Sequence, residues 1–256
     1  MRVTCIQLEY PNRSKAESLQ HVLGLLDEAR GSDLILLPEI WPCGYFAYDR
    51  YAPDSETIDG PLVNKLREKA RDLKTCIFTG SFVERDGDQL FNTCALIGPS
   101  GDILARYRKV HVFGFESEER KRLARGTEVA VADTPFGRAG LAICYDLRFP
   151  ELFRRMVDQG AEFFLVAAAW PSARRDAWKL FCRARAHENL AYLFACNAAG
   201  TSHGVEINGC SVMVDPWGKI LAEGGQTESL ISCDVDPTAA KTLRSQFPAL
   251  DDRVLK

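Results

Sequence analysis

The hydrophobic pattern of this 256-residue chain switches between short, almost wholly apolar runs and longer stretches of helical period. Leu34 to Leu37, Ala139 to Ile143 and Phe163 to Trp170 leave no solvated face, as strands covered on both sides require. Between them lie amphipathic helices. Ser14-x-x-Glu17 reads as a capping box ahead of an apolar face of Ala16, Leu19, Leu23 and Leu26, before Gly31. Pro61 to Leu73 puts Leu62, Leu66, Ala70 and Leu73 on one side. Pro150 to Gln159 carries Leu152, Phe153, Met156 and Val157, with Gly160 as its stop. Ser172 is placed to cap a further helix whose apolar side is Ala173, Ala177, Phe181 and Ala184.

The pattern repeats. Gly31 to Pro42 matches Gly160 to Pro171 without a gap, each with a glycine, an acidic residue, a buried strand and Trp-Pro. Pro99-Ser-Gly-Asp-Ile-Leu-Ala105 matches Pro216-Trp-Gly-Lys-Ile-Leu-Ala222, and Asn92-Thr-Cys-Ala precedes the one as Asn208-Gly-Cys-Ser precedes the other. Each half reads strand, helix, strand, helix, then hairpins, which implies parallel pairing under a helical layer. If each half covers one face of its sheet, the bare faces must pack together. The expected fold is an α/β four-layer α-β-β-α sandwich with a pseudo-two-fold axis, formed by residues 1–256 as a single domain.

Composition narrows the partners. At 46% hydrophobic and 26% charged, with a formal net charge of −3, nothing favours nucleic acid or an anionic membrane. The longest apolar run falls far short of the roughly 20 residues that span a bilayer, and the N-terminus reads as a strand rather than a signal peptide. Nine scattered cysteines without a Cys-x-x-Cys pair suit reduced thiols, a soluble chain and a cytoplasmic setting, with no metal site.

Three residues stand out. Cys144 lies where the Ala139–Ile143 strand runs into a helix start, a turn that projects a thiol from the sheet end and favours the thiolate. Glu39 follows a strand with no solvated face, so apolar walls raise its carboxyl toward general-base range. Lys109 follows the Ile103–Tyr107 strand, where an ammonium can hold a developing oxyanion. His111 offers a competing Cys–His pairing, but a residue packed beside the strand fits better. Cys43, in Trp-Pro-Cys-Gly, lacks the strand-to-helix setting and is read as a wall residue.

Leu-Pro-Glu39, Tyr-Arg-Lys109-Val-His-Val-Phe and Ile-Cys144-Tyr-Asp-Leu-Arg-Phe-Pro-Glu together resemble the nitrilase superfamily of carbon–nitrogen hydrolases, along with Asp215-Pro-Trp-Gly. The resemblance spans nearly the whole chain and implies the same sandwich, assembled as a homodimer or higher homo-oligomer. It implies Cys144 as nucleophile, Glu39 as general base, and Lys109 with an N–H near Tyr145 as oxyanion donors, without cofactor. It also implies a second glutamate before Gly126, which counting assigns to Glu119, with Glu118 as the competitor.

Cys-Tyr-Asp-Leu-Arg after the nucleophile is similar to omega-amidases and deaminated-glutathione amidases. It departs from the Cys-Trp-Glu of nitrilases and the Cys-Trp-Asp-Gln of many carbamoylases. Arg148 matches the carboxylate of a dicarboxylic monoamide, or equally bridges to Asp146 or Glu151. Tyr45, Tyr145 and Trp170 are read as pocket walls, with core packing the alternative for Trp170. An N-carbamoyl amidohydrolase and a silent partner-binding module are the rival readings.

Overall fold

The computed structural model describes residues 1–10 and 13–255. The first half runs β1 (Arg2–Gln7), α1 (Lys15–Glu28), β2 (Leu34–Leu36), α2 (Tyr51–Asp54), α3 (Pro61–Leu73), β3 (Cys76–Asp86), β4 (Gln89–Ile97), β5 (Ile103–Arg108) and α4 (Glu119–Arg122). The second runs β6 (Val131–Thr134), β7 (Gly137–Ile143), α5 (Pro150–Asp158), β8 (Phe163–Ala168), α6 (Arg175–Asn189) and β9 (Tyr192–Asn197). It continues through β10 (Ala199–Ser202), β11 (Val205–Asn208), β12 (Val212–Val214), β13 (Ile220–Glu223), β14 (Ser229–Asp234) and α7 (Ala239–Gln246).

Apart from β10 and β11, which pair with each other, the strands form two six-stranded sheets, ordered β14-β1-β2-β3-β4-β5 and β6-β7-β8-β9-β12-β13. Written this way the sheets correspond strand for strand. In each, three central strands are parallel and the flanking pairs antiparallel. The repeat read from the sequence is therefore a repeat of topology, and the expected α-β-β-α sandwich is the observed one.

Alternation along β2 and β3 builds the layers. Leu34, Leu36, Cys76 and Phe78 pack toward the second sheet, while Ile35, Leu37 and Ile77 join Val22, Leu26, Leu62, Leu66 and Ala70 beneath α1 and α3. The capping box of Ser14 and Glu17 is present, and α3 buries the expected face. In α1 the buried residues are Val22, Leu25 and Leu26; Leu19 and Leu23 are half-buried and Ala16 is exposed. Only the last turns of α1 meet the sheet, so the apolar face lies one position from the expected one.

The helix after Trp170-Pro171 departs further. Ser172 opens a 3₁₀ turn, Ser172–Arg174, and caps nothing with its side chain. The buried face of α6 is Trp178, Cys182, Arg185, Ala186 and Asn189 rather than Ala173, Ala177, Phe181 and Ala184. The largest side chain decides this: Trp178 enters the core and donates from Nε1 to the Cys210 carbonyl at 2.8 Å. Among the described residues no helix is long and apolar enough to cross a membrane.

Candidate active site

The ends of two parallel strands, β2 of the first sheet and β7 of the second, carry the two turns of the site. After β2 the chain continues Leu37-Pro38-Glu39, with Ile40 in the left-handed region at φ 43°. Gly80 makes this approach possible, because a Cβ there would lie 2.1 Å from the Pro38 carbonyl oxygen. Ser81 fixes the turn by donating its N–H to Pro38 and accepting from the Ile40 N–H at 2.9 Å. After β7 the chain enters a 3₁₀ turn, Cys144–Arg148, and Cys144 itself has φ 46°. A non-glycine residue there is uncommon and marks a turn held by its surroundings.

Lys109 follows β5, its N–H bonded to the Asn92 carbonyl and its carbonyl to the Gly126 N–H. Its ammonium is fully buried and bonds Glu39 Oε1 at 2.7 Å and Glu119 Oε1 at 2.9 Å. Asn92 Nδ2 donates to the same two oxygens, at 2.9 and 2.8 Å. Glu119 Oε2 accepts from the Phe113 N–H at 2.8 Å and the Tyr45 hydroxyl at 3.1 Å. Glu118 instead points outward to Lys121. The buried carboxylate beside Lys109 is thus Glu119.

Glu39 Oε2 accepts from the Ala169 N–H at 3.0 Å, across the axis. The Cys144 thiol faces that carboxylate and the same N–H. Two carboxylates share one ammonium here, and the imbalance sets the proton affinities. Burial raises the Glu39 carboxyl above its ordinary value; Lys109 opposes the shift and the Glu119 charge adds to it. Burial alone would lower Lys109, but Glu119 and Glu39 outweigh it and keep the ammonium protonated. The Cys144 thiol is pushed well up, first by burial and then by Glu39, with Lys109 only partly offsetting them. The strand-to-helix turn therefore does not leave a resting thiolate, contrary to the expectation from the turn alone: at neutral pH the sulfur holds its proton beside a carboxylate.

Cys144 opens into a cavity of about 230 Å³ lined by Tyr45, Phe113, Phe115, Tyr145, Trp170 and two arginines, Arg148 and Arg174, among others. Arg148 lies 5.3 Å from the Trp170 ring and 5.1 Å from Phe181, and among the described residues it has no acidic partner. Neither Asp146 nor Glu151 bridges to it. Trp170 serves as both wall and core, packing 5.7 Å from Trp178 and donating to the Arg174 carbonyl. Tyr145 stands edge-on to Phe113 at 4.9 Å. Cys43 lies outside this cavity, buried, with its thiol pushed up to about 12 chiefly by burial. His111 binds Asp146 rather than Cys144.

The sequence reading missed Asn92, although a polar residue inside the apolar run Leu90 to Ile97 was a visible signal. Arg174, Phe113 and Phe115 had none, since loops place them.

The chain belongs to the carbon–nitrogen hydrolase family, whose model matches residues 2–245. It is 35% identical to a 2-oxoglutaramate amidase of Paenarthrobacter nicotinovorans over 98% of this chain and 88% of that one. It is 33% identical to the omega-amidase NIT2 of Homo sapiens over 96% and 92% of the two chains. The crystal structure of Saccharomyces cerevisiae Nit3, a member of branch 10 of the nitrilase superfamily, superposes with a TM-score of 0.91 at 28% identity, covering 100% of this chain and 97% of that one.

Proposed function

We propose that this protein is a cysteine amidase that hydrolyses a small, carboxylate-bearing carboxamide to the acid and ammonia. The observation that carries this reading is the position of the Cys144 thiol, against the buried Glu39 carboxylate and at the wall of a cavity that also presents an unpaired guanidinium, Arg148. The names of the two amidase relatives support the same substrate class.

In the mechanism Glu39 takes the thiol proton as the sulfur bonds to the amide carbon. Oε1 of Glu39 already accepts from Lys109 and Asn92, whereas Oε2 has, among the described residues, one backbone donor, Ala169, so the proton goes to Oε2. The carbonyl electrons move to oxygen, held by the Tyr145 N–H and by the Lys109 proton whose bond at rest is the longer one, to Glu119 Oε2 at 3.1 Å; one such donor is worth about 3 kcal/mol. Glu39 returns the proton to nitrogen, the C–N bond breaks, and ammonia leaves a thioester on Cys144. A water then gives its proton to Glu39 and its oxygen to the acyl carbon, and the C–S bond breaks with the proton returning to sulfur. Glu119 holds Lys109 in place, and no step calls for a cofactor.

The carboxylate of the substrate pairs with Arg148, whose planar fork matches it. The test is ammonia release from 2-oxoglutaramate, succinamate, simple aliphatic amides, N-carbamoyl amines and nitriles, with Cys144→Ala as control. Carboxylate-bearing amides should be turned over fastest and Cys144→Ala should release none. Preferred turnover of carbamoyl amines would favour the carbamoylase reading, and turnover of none a binding module.

Assembly and compartment belong to the same reading. Leu180 and Trp217, 64% and 55% exposed, line a shallow surface groove with Lys179, Arg183 and His187, a surface suited to a second copy of the chain. All nine cysteines are free, as in a reducing cytoplasm.

A further inference from the structure

One buried carboxylate near the site takes no part in the chemistry above. Asp146, two residues beyond Cys144, is fully buried and accepts four hydrogen bonds. Its Oδ2 receives the Tyr107 hydroxyl at 2.8 Å and the Ile143 N–H at 2.9 Å. Its Oδ1 receives the His111 N–H at 3.2 Å and His111 Nδ1 at 2.7 Å. A carboxylate only accepts, so Nδ1 carries the proton. Tyr107 in turn accepts the Val110 N–H at 3.2 Å.

The placement of these donors is what matters. Tyr107 and His111 stand two residues before and two residues after Lys109, and Val110 is bound through the tyrosine hydroxyl. Ile143 immediately precedes Cys144. Lys109 comes from the edge strand of the first sheet and Cys144 from β7, one strand in from the edge of the second. Among the described residues, every hydrogen bond joining residues 105–113 to residues 141–149 ends on the Asp146 carboxylate. The His111 ring is further fixed by stacking on Phe149 at 3.7 Å and 8°.

We propose that Asp146 is the positioning residue that sets Lys109 against Cys144, bracketing the ammonium on one strand and the thiol turn on the other. The inference rests on the amidase reading for its rate measurements. Both lone-pair regions of each oxygen are used, so an amide in place of the carboxylate must turn an NH₂ toward two donors. The turn and the lysine strand then separate, which draws the Cys144 sulfur away from Lys109, while Trp170, Pro171 and Arg174 keep their places in the cavity wall.

The test compares wild type with Asp146→Asn, Tyr107→Phe and His111→Phe, measuring kcat, KM and Tm on the intact protein. Asp146→Asn should lower kcat by about 100-fold with KM within about threefold, the cost of roughly 1 Å of misplacement. Tyr107→Phe and His111→Phe each remove part of the tie and should lower kcat by about tenfold at unchanged KM. If Asp146→Asn fails to fold, those two variants decide. A merely structural Asp146 would lower Tm and leave kcat of the folded protein unchanged, which overturns the proposal; so would a loss confined to KM. If wild type turns over none of the amides, the amidase reading fails instead, and the tie is read from iodoacetamide alkylation of Cys144. The variants should then differ from wild type by at least about threefold, and equal rates would overturn it.

Discussion

Pro38-Glu39-Ile40-Trp41 and Ala167-Ala168-Ala169-Trp170 occupy corresponding places in the two halves, and they touch. The Glu39 N–H donates to the Ala168 carbonyl, and the Ala169 N–H returns a bond to Glu39 Oε2. The frames are alike down to the glycine that precedes each strand, Gly31 at φ 91° and Gly160 at φ 87°. The side chains are not. One loop delivers a buried carboxylate and the other presents only backbone donors and small residues. The tryptophans diverge too: Trp41 Nε1 donates inward to the Thr79 carbonyl, while Trp170 walls the cavity. A duplicated scaffold thus brings two strand ends together, and the site arises from what the duplication no longer shares. The first half supplies Glu39, Lys109 and Glu119; the second supplies the sulfur, Ala169 and Arg148.

Removing the cation from the first half's contribution should have the largest effect. Lys109→Met leaves Glu39 and Glu119 facing each other in the interior, and activity should fall by at least about 1,000-fold. Stability at neutral pH should drop by about 3–5 kcal/mol, the usual cost of breaking a buried pair. The two carboxyls would then bind protons more tightly folded than unfolded, so part of that stability returns as pH falls. Urea unfolding at pH 7.5 and 5.5 checks the sign.

A smaller effect separates neighbours in sequence. Glu119→Gln should lower kcat by about 100-fold, while Glu118→Gln, on the surface, should change it by less than about twofold. The pH profile sharpens this. Glu39 must be ionised to act as base, and its raised affinity places the acid limb of kcat/KM above pH 4.5, the ordinary value for glutamate. The Glu119 charge contributes to that shift, so Glu119→Gln should move the limb to lower pH; a limb that stays put would remove Glu119 from the electrostatics of the base.

The mildest change tests the second half. Arg148→Gln should raise KM for carboxylate-bearing amides by about tenfold and leave neutral amides such as butyramide unaffected, as expected for a lost charge-assisted contact of about 1.5 kcal/mol. Equal changes for both substrates would make Arg148 structural.

The two halves also differ in how much of them could be read from sequence. Strand ends were legible at Glu39 and Cys144, which follow apolar runs, whereas Lys109 follows Arg106-Tyr107-Arg108 and stood out mainly through the resemblance of its motif. Helix faces were legible where long apolar side chains dominated, as in α3 and α5. In α1 and α6 small alanines entered the expected stripe, and the actual face was decided by Val22 and Trp178 meeting the sheet. Asn92 was visible as a polar residue in an apolar run, but its role was not, because one of the carboxylates it bridges lies 53 residues away in the chain. The resting state of Cys144 was misread for a related reason: the turn is local, but the carboxylate that keeps the sulfur protonated comes from the other half.

The outer edge of the first sheet is closed by β14, which pairs with β1 along its whole length, and the Met1 amino group bonds the Val235 carbonyl across 234 residues of chain. During synthesis β1 therefore waits for its partner until more than two hundred residues have followed it. Through that interval Val3, Cys5 and Ile6 sit on an unpaired strand edge, open to pairing with other nascent chains. Among the described residues the hydrogen bond between partners farthest apart in sequence is thus a timing constraint. It is a non-local pairing of the kind that slows folding by topology.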